Sequence, residues 1–345
     1  MRLDERKQRV LRAIVQDYIA TAEPVGSRTI ARRYLSDYSA ATIRNEMADL
    51  EEMGFLGQPH TSAGRIPSDK GYRFYVDFLM DLPALNDPEA AWIKQSFATR
   101  MKAMEQIIQQ TAHVLASITH YTSVVLGPQT NQSAFLKMQL MEVSPGQALA
   151  VIITDTGLVA NRMLVVPPHF SQEQLNQVSA FVNRRFRGRT FGQLQGSVLR
   201  QVEDEISSQI ASFDEIIDLL VELLRPEHDE RVYLGGTTHI LNQPEFQDME
   251  RVKSLLSLLD QEELMRRLVS QCSEAERVRV TIGQENPYEG VSDCSLVTAV
   301  YRIHGRPVGS IGVLGPTRMD YAKVVAVVNE VTGILNEILD RAQIF

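Results

Sequence analysis

Apolar residues at the start of the chain recur every three or four positions, which is the period of an amphipathic helix. This pattern predicts a first helix over residues 4–20, followed by a short second helix that Ser27 can cap. A tight turn over residues 35–38 then leads to a third helix, with Ser39 as its N-cap and Gly54 as the residue that ends it. Helix, short helix, turn and capped third helix is the layout of a helix-turn-helix.

The predicted third helix has two unlike faces. Ile43, Met47 and Leu50 share one apolar stripe, which we expect to face a core. The opposite face carries short or hydrogen-bonding side chains, Ala41, Arg44, Asn45 and Ala48, with Thr42 at its flank. A helix that enters the major groove of DNA by its N-terminal half needs slim residues for close approach, and Arg and Asn to read base edges. The pattern therefore favours a DNA-reading helix, and an ordinary surface helix with a solvated outer face is the alternative.

A loop punctuated by Gly, Pro and Ser follows the third helix, in the segment FLGQPHTSAGRIPSDKGYRFYVDFL. A loop in this position is typical of the wing of a winged helix, where hydroxyls, a close backbone approach and a guanidinium meet phosphates or the minor groove. Together with the two helices before it, this segment supplies the candidate DNA-binding residues: Ser27, Arg28, Ser39, Ala41, Thr42, Arg44, Asn45, Thr61, Ser62, Gly64 and Arg65.

Basic residues are concentrated at the N-terminal end of an acidic chain. Residues 1–75 carry 12 Lys and Arg against 10 Asp and Glu, whereas the whole chain has a formal net charge of −8. DNA binding needs local rather than overall positive charge, because phosphates are neutralised by the cations that contact them. We expect at least two of four arginines to contact nucleic acid, the alternative for each being a solvated surface charge: Arg28, Arg32, Arg33 and Arg44.

The rest of the chain alternates between strand-like and helical patterns, and its 345 residues suffice for two or three domains. Two prolines flank Asn86 and predict a linker over residues 81–90. A helix with a short heptad-like seam from Met101 to Ile118 follows, for which packing on the chain's own sheet is favoured over a dimer contact. The next four apolar runs predict an antiparallel meander with turns at 144–146 and 155–157: SVVLGP, FLKMQLMEV, QALAVIITD and LVANRMLVV.

Residues 171–224 have a helical pattern, including the strongest apolar stripe of this part of the chain, and strands return towards the C-terminus. The later strand candidates are VYLGG, RVRVTIGQE, CSLVTAVYRI and RPVGSIGVLG, with helices over 248–270 and 321–342. Strands, a helix-rich block and strands again predict an α+β multidomain fold. Its sheet domain comprises residues 91–166 and 275–345, interrupted by an insertion over 167–274.

Residues suited to catalysis or metal binding form no recognisable motif. The seven histidines lack the spacing of a metal or nucleophilic site, and LGGTTH at 234–239 is better interpreted as a strand-ending turn than as a phosphate loop. Cys272 and Cys294 are expected to be buried or inert thiols. No run approaches the roughly 18 apolar residues of a membrane span, and the charged N-terminus is unlike a signal peptide. We therefore expect a soluble, intracellular protein that is not an enzyme and uses no cofactor or metal.

Three segments closely resemble the HrcA family of bacterial heat-inducible transcription repressors: ATIRNEMADLEEMGFLGQPHTSAGRIPSDKGYRFYVDFL, VYLGGTTHILNQPEF and GRPVGSIGVLGPTRMDYAKVV. The resemblance covers essentially the whole chain and is loosest across 167–230. It implies a winged-helix DNA-binding domain over 1–80, a GAF-like domain with an antiparallel sheet, and a dimerisation domain in the insertion. It also implies a cytoplasmic homodimer that represses chaperone operons at an inverted repeat, the CIRCE element, and that the GroE chaperonin keeps competent.

Two other classes of function stay open beside a repressor that is controlled by a protein partner. The first alternative is a winged-helix repressor gated by a metabolite in the GAF-like domain, and the second is an enzyme with an appended DNA-binding domain. A ligand that binds only the native state raises the thermal stability of the protein, so a thermal shift with one metabolite would identify the metabolite-gated repressor. An enzyme requires a polar cluster with perturbed protonation, and the sequence offers none.

Overall fold

The computed structural model is an α+β arrangement of helices and antiparallel sheets, which confirms the coarse fold class predicted from the sequence. It describes residues 3–60, 63–97, 104–128, 133–155, 159–194, 231–246, 248–270 and 277–341. Across these ranges the strands form one two-stranded, one three-stranded and one five-stranded sheet.

Residues 3–79 form an N-terminal unit of helices and one short hairpin. Its elements are α1 (Glu5–Thr21), α2 (Ser27–Arg33), α3 (Ala40–Glu52), β1 (Leu56–Gly57), β2 (Ile66–Pro67) and α4 (Asp69–Phe74), which continues into a π-helical turn, Tyr75–Leu79. The predicted stripe of α3 is confirmed, because Ile43, Met47 and Leu50 are all buried. Gly54 has the left-handed backbone conformation (φ +77°) that suits the residue ending a helix.

The two serines expected to cap helices in this unit behave differently. Ser39 caps α3 as predicted, since its Oγ accepts a hydrogen bond from the amide of Thr42 at 3.1 Å. The expectation that Ser27 caps α2 is wrong. The helix begins one residue earlier than that role requires, so Gly26 occupies the N-cap position and Ser27 is the first, buried residue of α2.

The remaining α-helices of eight residues or more and the remaining strands follow one another in mixed order. In chain order they are α5 (Asp87–Ser96), α6 (Met104–Thr119), β3 (Thr122–Leu126), β4 (Phe135–Ser144), β5 (Gln147–Thr154), β6 (Val159–Val165), α7 (Gln172–Phe186), β7 (Val232–Gly235), α8 (Met249–Leu259), α9 (Glu262–Val269), β8 (Arg279–Ile282), β9 (Cys294–Ile303), β10 (Arg306–Pro316) and α10 (Tyr321–Arg341). The second half of the predicted linker is helical, because Asn86 accepts a hydrogen bond from the amide of Glu89 at 2.8 Å and caps α5.

Helices cover both faces of the five-stranded sheet, whose strand order is β7-β3-β10-β9-β8. Alternate residues of its strands belong to two different cores. Val297 and Ile311 pack on the side of α6 and α10, whereas Leu296 and Leu314 pack on the side of α8 and α9. We call this assembly of α6, α8–α10, β3 and β7–β10 the sheet unit. Within the described part of α6, the predicted packing of its seam on the chain's own sheet is confirmed.

The three-stranded sheet, in the order β4-β5-β6, forms a separate unit with α7. This three-stranded unit has its own apolar core, in which Met138 and Leu140 of β4 meet Leu175 and Val182 of α7. Side chains of α7 also bond to the backbone of the edge strand β4. Asn183 accepts from the amide of Met138 at 2.7 Å and donates to its carbonyl at 2.9 Å.

Strand pairing corrects the expected division of the chain into sheets. The meander prediction is wrong for its first member, because β3 pairs with β10 and β7 instead of with β4. The expected sheet domain (91–166 and 275–345) therefore loses β4–β6 and gains β7, α8 and α9, which the sequence analysis had assigned to the insertion over 167–274. The reason is physical: turn signals identify hairpins, but they carry no information about pairing between distant strands. The apolar stripe predicted within 171–224 falls largely outside the described residues.

The turn at LGGTTH and the burial of Cys294 agree with the predictions from the sequence. The strand-ending turn at LGGTTH is confirmed, since β7 ends at Gly235 and Gly236 is left-handed. Cys294 is buried, which raises the pKa of its thiol to about 12, while Cys272 lies outside the described residues. Within the described ranges no three potential metal ligands cluster together. A search of the same ranges finds no helix with the length and apolar character to cross a membrane.

Candidate nucleic-acid interface

The start of α2, one side of α3 at Arg44 and Met47, and the described residues of the loop between β1 and β2 meet in one groove of about 470 Å³. The lining includes five of the candidate DNA-binding residues, from three separate segments of the chain: Ser27, Arg28, Arg44, Gly64 and Arg65. The backbone brings these segments together, because Val25 and Arg65 exchange two hydrogen bonds of 2.9 Å. The hairpin loop is therefore held against the start of α2.

Gly64 makes this backbone bridge possible. A Cβ atom at this position would lie 2.4 Å from the carbonyl oxygen of Val25, which no side chain tolerates. Gly64 thus allows a close approach to the chain's own backbone, and its predicted approach to phosphates or the minor groove stays a prediction.

The outer face of α3 is composed as the sequence predicted. Ala41, Arg44, Asn45 and Ala48 are exposed, and Thr42 is half-buried. Ser39 and Thr42 lie at the N-terminus of the helix, where their hydroxyl oxygens are 2.9 Å apart. This end of α3 thus presents short side chains, one guanidinium and one amide to solvent.

Basic residues of α1 bind the acidic side chains in the second half of α3. Glu46 Oε2 lies 2.9 Å from Lys7 Nζ and its Oε1 lies 3.2 Å from Arg6 Nη1. The same Lys7 ammonium lies 3.0 Å from Asp49 Oδ2, and its hydrogen bonds to Glu46 and Asp49 raise the pKa of Lys7 above its usual value. Glu46 and Asp49 are therefore neutralised within the N-terminal unit, away from the N-terminus of α3.

Glu46 is a residue that the sequence analysis missed. It is only 8% exposed, although the helical pattern gave no reason to place a carboxylate near the apolar stripe. Its position three residues after Ile43 puts it on the edge of that stripe, facing α1. The adjacent basic residues Arg6 and Lys7 on the surface of the first helix are the signal that could have identified Glu46, because they need an acidic partner.

All four arginines noted in the sequence are exposed, and they differ in whether a carboxylate binds them. Arg28, Arg32 and Arg44 are exposed, and the described residues place no carboxylate within salt-bridge distance of them. Arg33 differs, because its Nη1 lies 3.1 Å from Oδ1 of the buried Asp17 and so ties α2 to α1. The available cations therefore lie on α2 and near the N-terminus of α3.

Arg65 is the candidate whose surroundings differ most from expectation. Its Nε and Nη2 lie 2.8 and 2.7 Å from Oε2 of Glu51, at the end of α3, and its side chain is only 20% exposed. A carboxylate already holds the guanidinium that was predicted to meet phosphate. Thr61 and Ser62, the hydroxyl candidates of the same loop, lie outside the described residues.

Replacing Glu46 by Ala is expected to weaken the attachment of α3 to α1 by about 1–3 kcal/mol, because Lys7 and Arg6 lose charge-assisted hydrogen bonds. Hydrogen exchange of the α3 amides in the native protein measures this local stability. Glu52→Ala is the matched control, since Glu52 is exposed on the same helix, and it should change the protection by less than about 0.5 kcal/mol. Equal protection in the two variants would contradict a structural role for Glu46.

Comparisons with known proteins agree over most of the chain. The family model described as "HrcA protein C terminal domain" matches residues 105–325. A curated relative from Pelotomaculum thermopropionicum, named heat-inducible transcription repressor HrcA, is 47% identical over 341 residues, covering 99% of this chain and 98% of the relative. Relatives of the same name from Natranaerobius thermophilus and Moorella thermoacetica are 46% and 45% identical, covering 100% and 99% of this chain and 99% of each relative.

A solved structure supports the same conclusion for the fold. A crystal structure of a hypothetical protein at 2.2 Å resolution is 25% identical, has a TM-score of 0.64, and covers 98% of this chain and 99% of its own. The family match exceeds half of the chain, and the curated relatives are similar along nearly its full length. The chain belongs to the HrcA family of heat-inducible transcription repressors.

Proposed function

We propose that this repressor binds an inverted-repeat operator of chaperone genes, of the CIRCE type, as a homodimer. In this proposal residues 3–79 act as a winged helix, with α3 in the major groove and the β1–β2 loop as the wing. The observation that carries the proposal is the groove in which Arg28 and Arg44 lie exposed beside the short outer face of α3. Cations without internal partners next to slim residues are what close approach to a duplex requires.

Individual side chains have distinct proposed roles at the operator. Arg44 and Asn45 project from the exposed face near the N-terminus of α3, and their side chains suit the acceptor edge of guanine and the mixed edge of adenine. Arg28 suits phosphate contacts, which position the protein without reading sequence. Arg65 contacts phosphate through Nη1 in this proposal, while Nε and Nη2 remain on Glu51.

Arg44→Ala is expected to cost about 1–3 kcal/mol at the operator and to relax the preference at one base position in each half-site. Arg28→Ala provides the contrast: it should weaken binding to all sequences alike and reduce the slope of affinity against salt by about one. Titrations against a set of single-base operator variants measure both effects. A profile for Arg44→Ala that parallels the wild type across all variants would remove its role in base readout.

We infer that a second copy of the chain covers the open face of the three-stranded sheet. Opposite the face that α7 covers, the strands carry exposed apolar side chains: Met141, Val143, Val159, Met163 and Val165. Met141 and Met163 are both paired with Leu149, which places them in one row across the sheet. An exposed apolar patch of this kind marks an interaction surface, and an inverted repeat requires two chains related by a twofold axis.

Met163→Lys is expected to weaken the dimer at least about tenfold, because the new charge loses its water in the interface. Sedimentation measures the association, and operator titration should show a parallel loss at the inverted repeat with binding to a single half-site retained. Met249→Lys is the matched control, since Met249 is an exposed methionine on α8 of the sheet unit. Association of Met163→Lys at wild-type strength would place the dimer contact elsewhere.

Heat control is proposed to act through the supply of folded repressor, kept competent by the GroE chaperonin. The support is the sheet unit, where β3 pairs Val125 with Ile311 and Val124 with Leu234. Such distant partners meet late in folding, and until then apolar strands are exposed. A chain that folds in this way depends on a chaperonin to reach its native state. Free chaperonin becomes scarce when heat unfolds other proteins.

Refolding from denaturant, scored by operator binding, tests this control. Recovery with the GroE chaperonin and ATP should exceed spontaneous recovery by a margin that grows with temperature, because unfolded chains then aggregate faster. Chaperonin without ATP is the control and should retain the chain without releasing active repressor. Equal recovery under all three conditions at every temperature would favour the alternative, a repressor gated by a metabolite.

A further inference from the structure

The N-terminal unit is attached to the sheet unit by more than the chain between them. Arg318, in the loop between β10 and α10, donates from Nη1 to the carbonyl oxygen of Ile19 at 2.7 Å, in the last turn of α1. Its Nε lies 2.6 Å from Glu245 Oε1, and its side chain is only 13% exposed. One largely buried guanidinium thus joins the end of α1 to two loops of the sheet unit.

A second arginine makes the reciprocal connection. Arg73 of α4 donates from Nε to Glu285 Oε1 at 2.8 Å and from Nη2 to the carbonyl oxygen of Val280 at 2.6 Å. Burial raises the pKa of Glu285, but hydrogen bonds from Arg73 and from the amide of Ile282 outweigh this effect and lower the pKa below its usual value. Glu285 therefore stays ionised at neutral pH and holds α4 on β8.

Apolar side chains of the N-terminal unit also pack against the sheet unit. Tyr72 of α4 and Tyr321 of α10 are both buried, with ring centroids 5.7 Å apart. Leu79 of the N-terminal unit and Val324 of the sheet unit belong to the same continuous core. Rotation of the N-terminal unit would shear this core and break both the Arg73–Glu285 pair and the hydrogen bond from Arg318 to Ile19, so these directional contacts hold α3 in one orientation relative to the sheet unit.

We propose that the interunit clamp, made by Arg73 with Glu285 and by Arg318 with the carbonyl oxygen of Ile19, determines which half-site spacing the repressor accepts. This inference rests on the proposed binding of an inverted repeat by a dimer. Each base pair added between half-sites turns one of them by about 34° and moves it by about 3.4 Å. N-terminal units held by the clamp follow such a change poorly, whereas units joined only by residues 81–86 and the non-directional apolar core would follow it more easily. Arg73 and Arg318 are positioning residues, which act through α3 without touching DNA.

The test compares the full-length wild type with the double variant Arg73→Gln/Arg318→Gln on operators that share half-sites but differ in spacing by one to five base pairs. The wild type should lose about tenfold or more in affinity for a one-base-pair change, similar to the cost of a mismatched pair. The double variant should lose less than about threefold, and its affinity for a single half-site should equal that of the wild type. The double variant Arg267→Gln/Arg341→Gln is the matched control. Each of these arginines forms an exposed ion pair with a glutamate of its own helix, Arg267 in α9 and Arg341 in α10.

The outcomes separate this inference from the function on which it rests. A flattened spacing profile with normal half-site affinity supports the clamp, and restored discrimination in Arg73→Lys/Arg318→Lys supports it further. Normal half-site binding with a wild-type spacing profile in the Gln variant would overturn the inference alone. Absence of half-site binding in every protein, the wild type included, would overturn the proposed function and the inference with it. Half-site affinity also reports folding of the N-terminal unit in each variant.

Discussion

The antiparallel pairing of β3 with β10 is the constraint on which the rest of the structure depends. It places residues 122–125 beside 311–314 and makes β3 a central strand of the five-stranded sheet. The chain between these strands must leave the sheet and return, so β4–β6 and α7 form a unit with their own core. The same pairing positions the loop that carries Arg318, and through it the N-terminal unit. One long-range strand pair thus organises all three parts of the described chain.

Local patterns predicted the N-terminal unit well, because its contacts are made by helices with strong periodicity and good caps. The buried stripe of α3, the cap at Ser39 and the exposure of Arg44 and Asn45 all followed from spacing. The prediction failed where partners are distant in sequence. The sheet of β3 and the burial of Glu46 depend on residues that no local window contains.

Within the candidate site, residue types were easier to predict than their partners. Gly64 was expected to allow a close approach to phosphates or the minor groove, and the close approach within the structure is to the chain's own Val25. Arg65 was expected to meet phosphate, and it lies against Glu51 at the end of α3. Sequence patterns identify groups that can bind an anion. They do not reveal whether the fold has already supplied one, because that depends on where the chain returns.

The internal neutralisation of Arg6, Lys7 and Arg33 has a consequence for how the repressor senses its surroundings. These cations are bound to Glu46 and Asp17, whereas Arg28, Arg32 and Arg44 of α2 and α3 are exposed and have no carboxylate within salt-bridge distance among the described residues. A dimer that binds DNA as proposed would neutralise about four phosphates with Arg28 and Arg65 of each chain, and counterion release then lowers its affinity on the order of a hundredfold between about 50 and 200 mM salt. Osmotic uptake of potassium would therefore loosen the repressor from its operator at constant temperature.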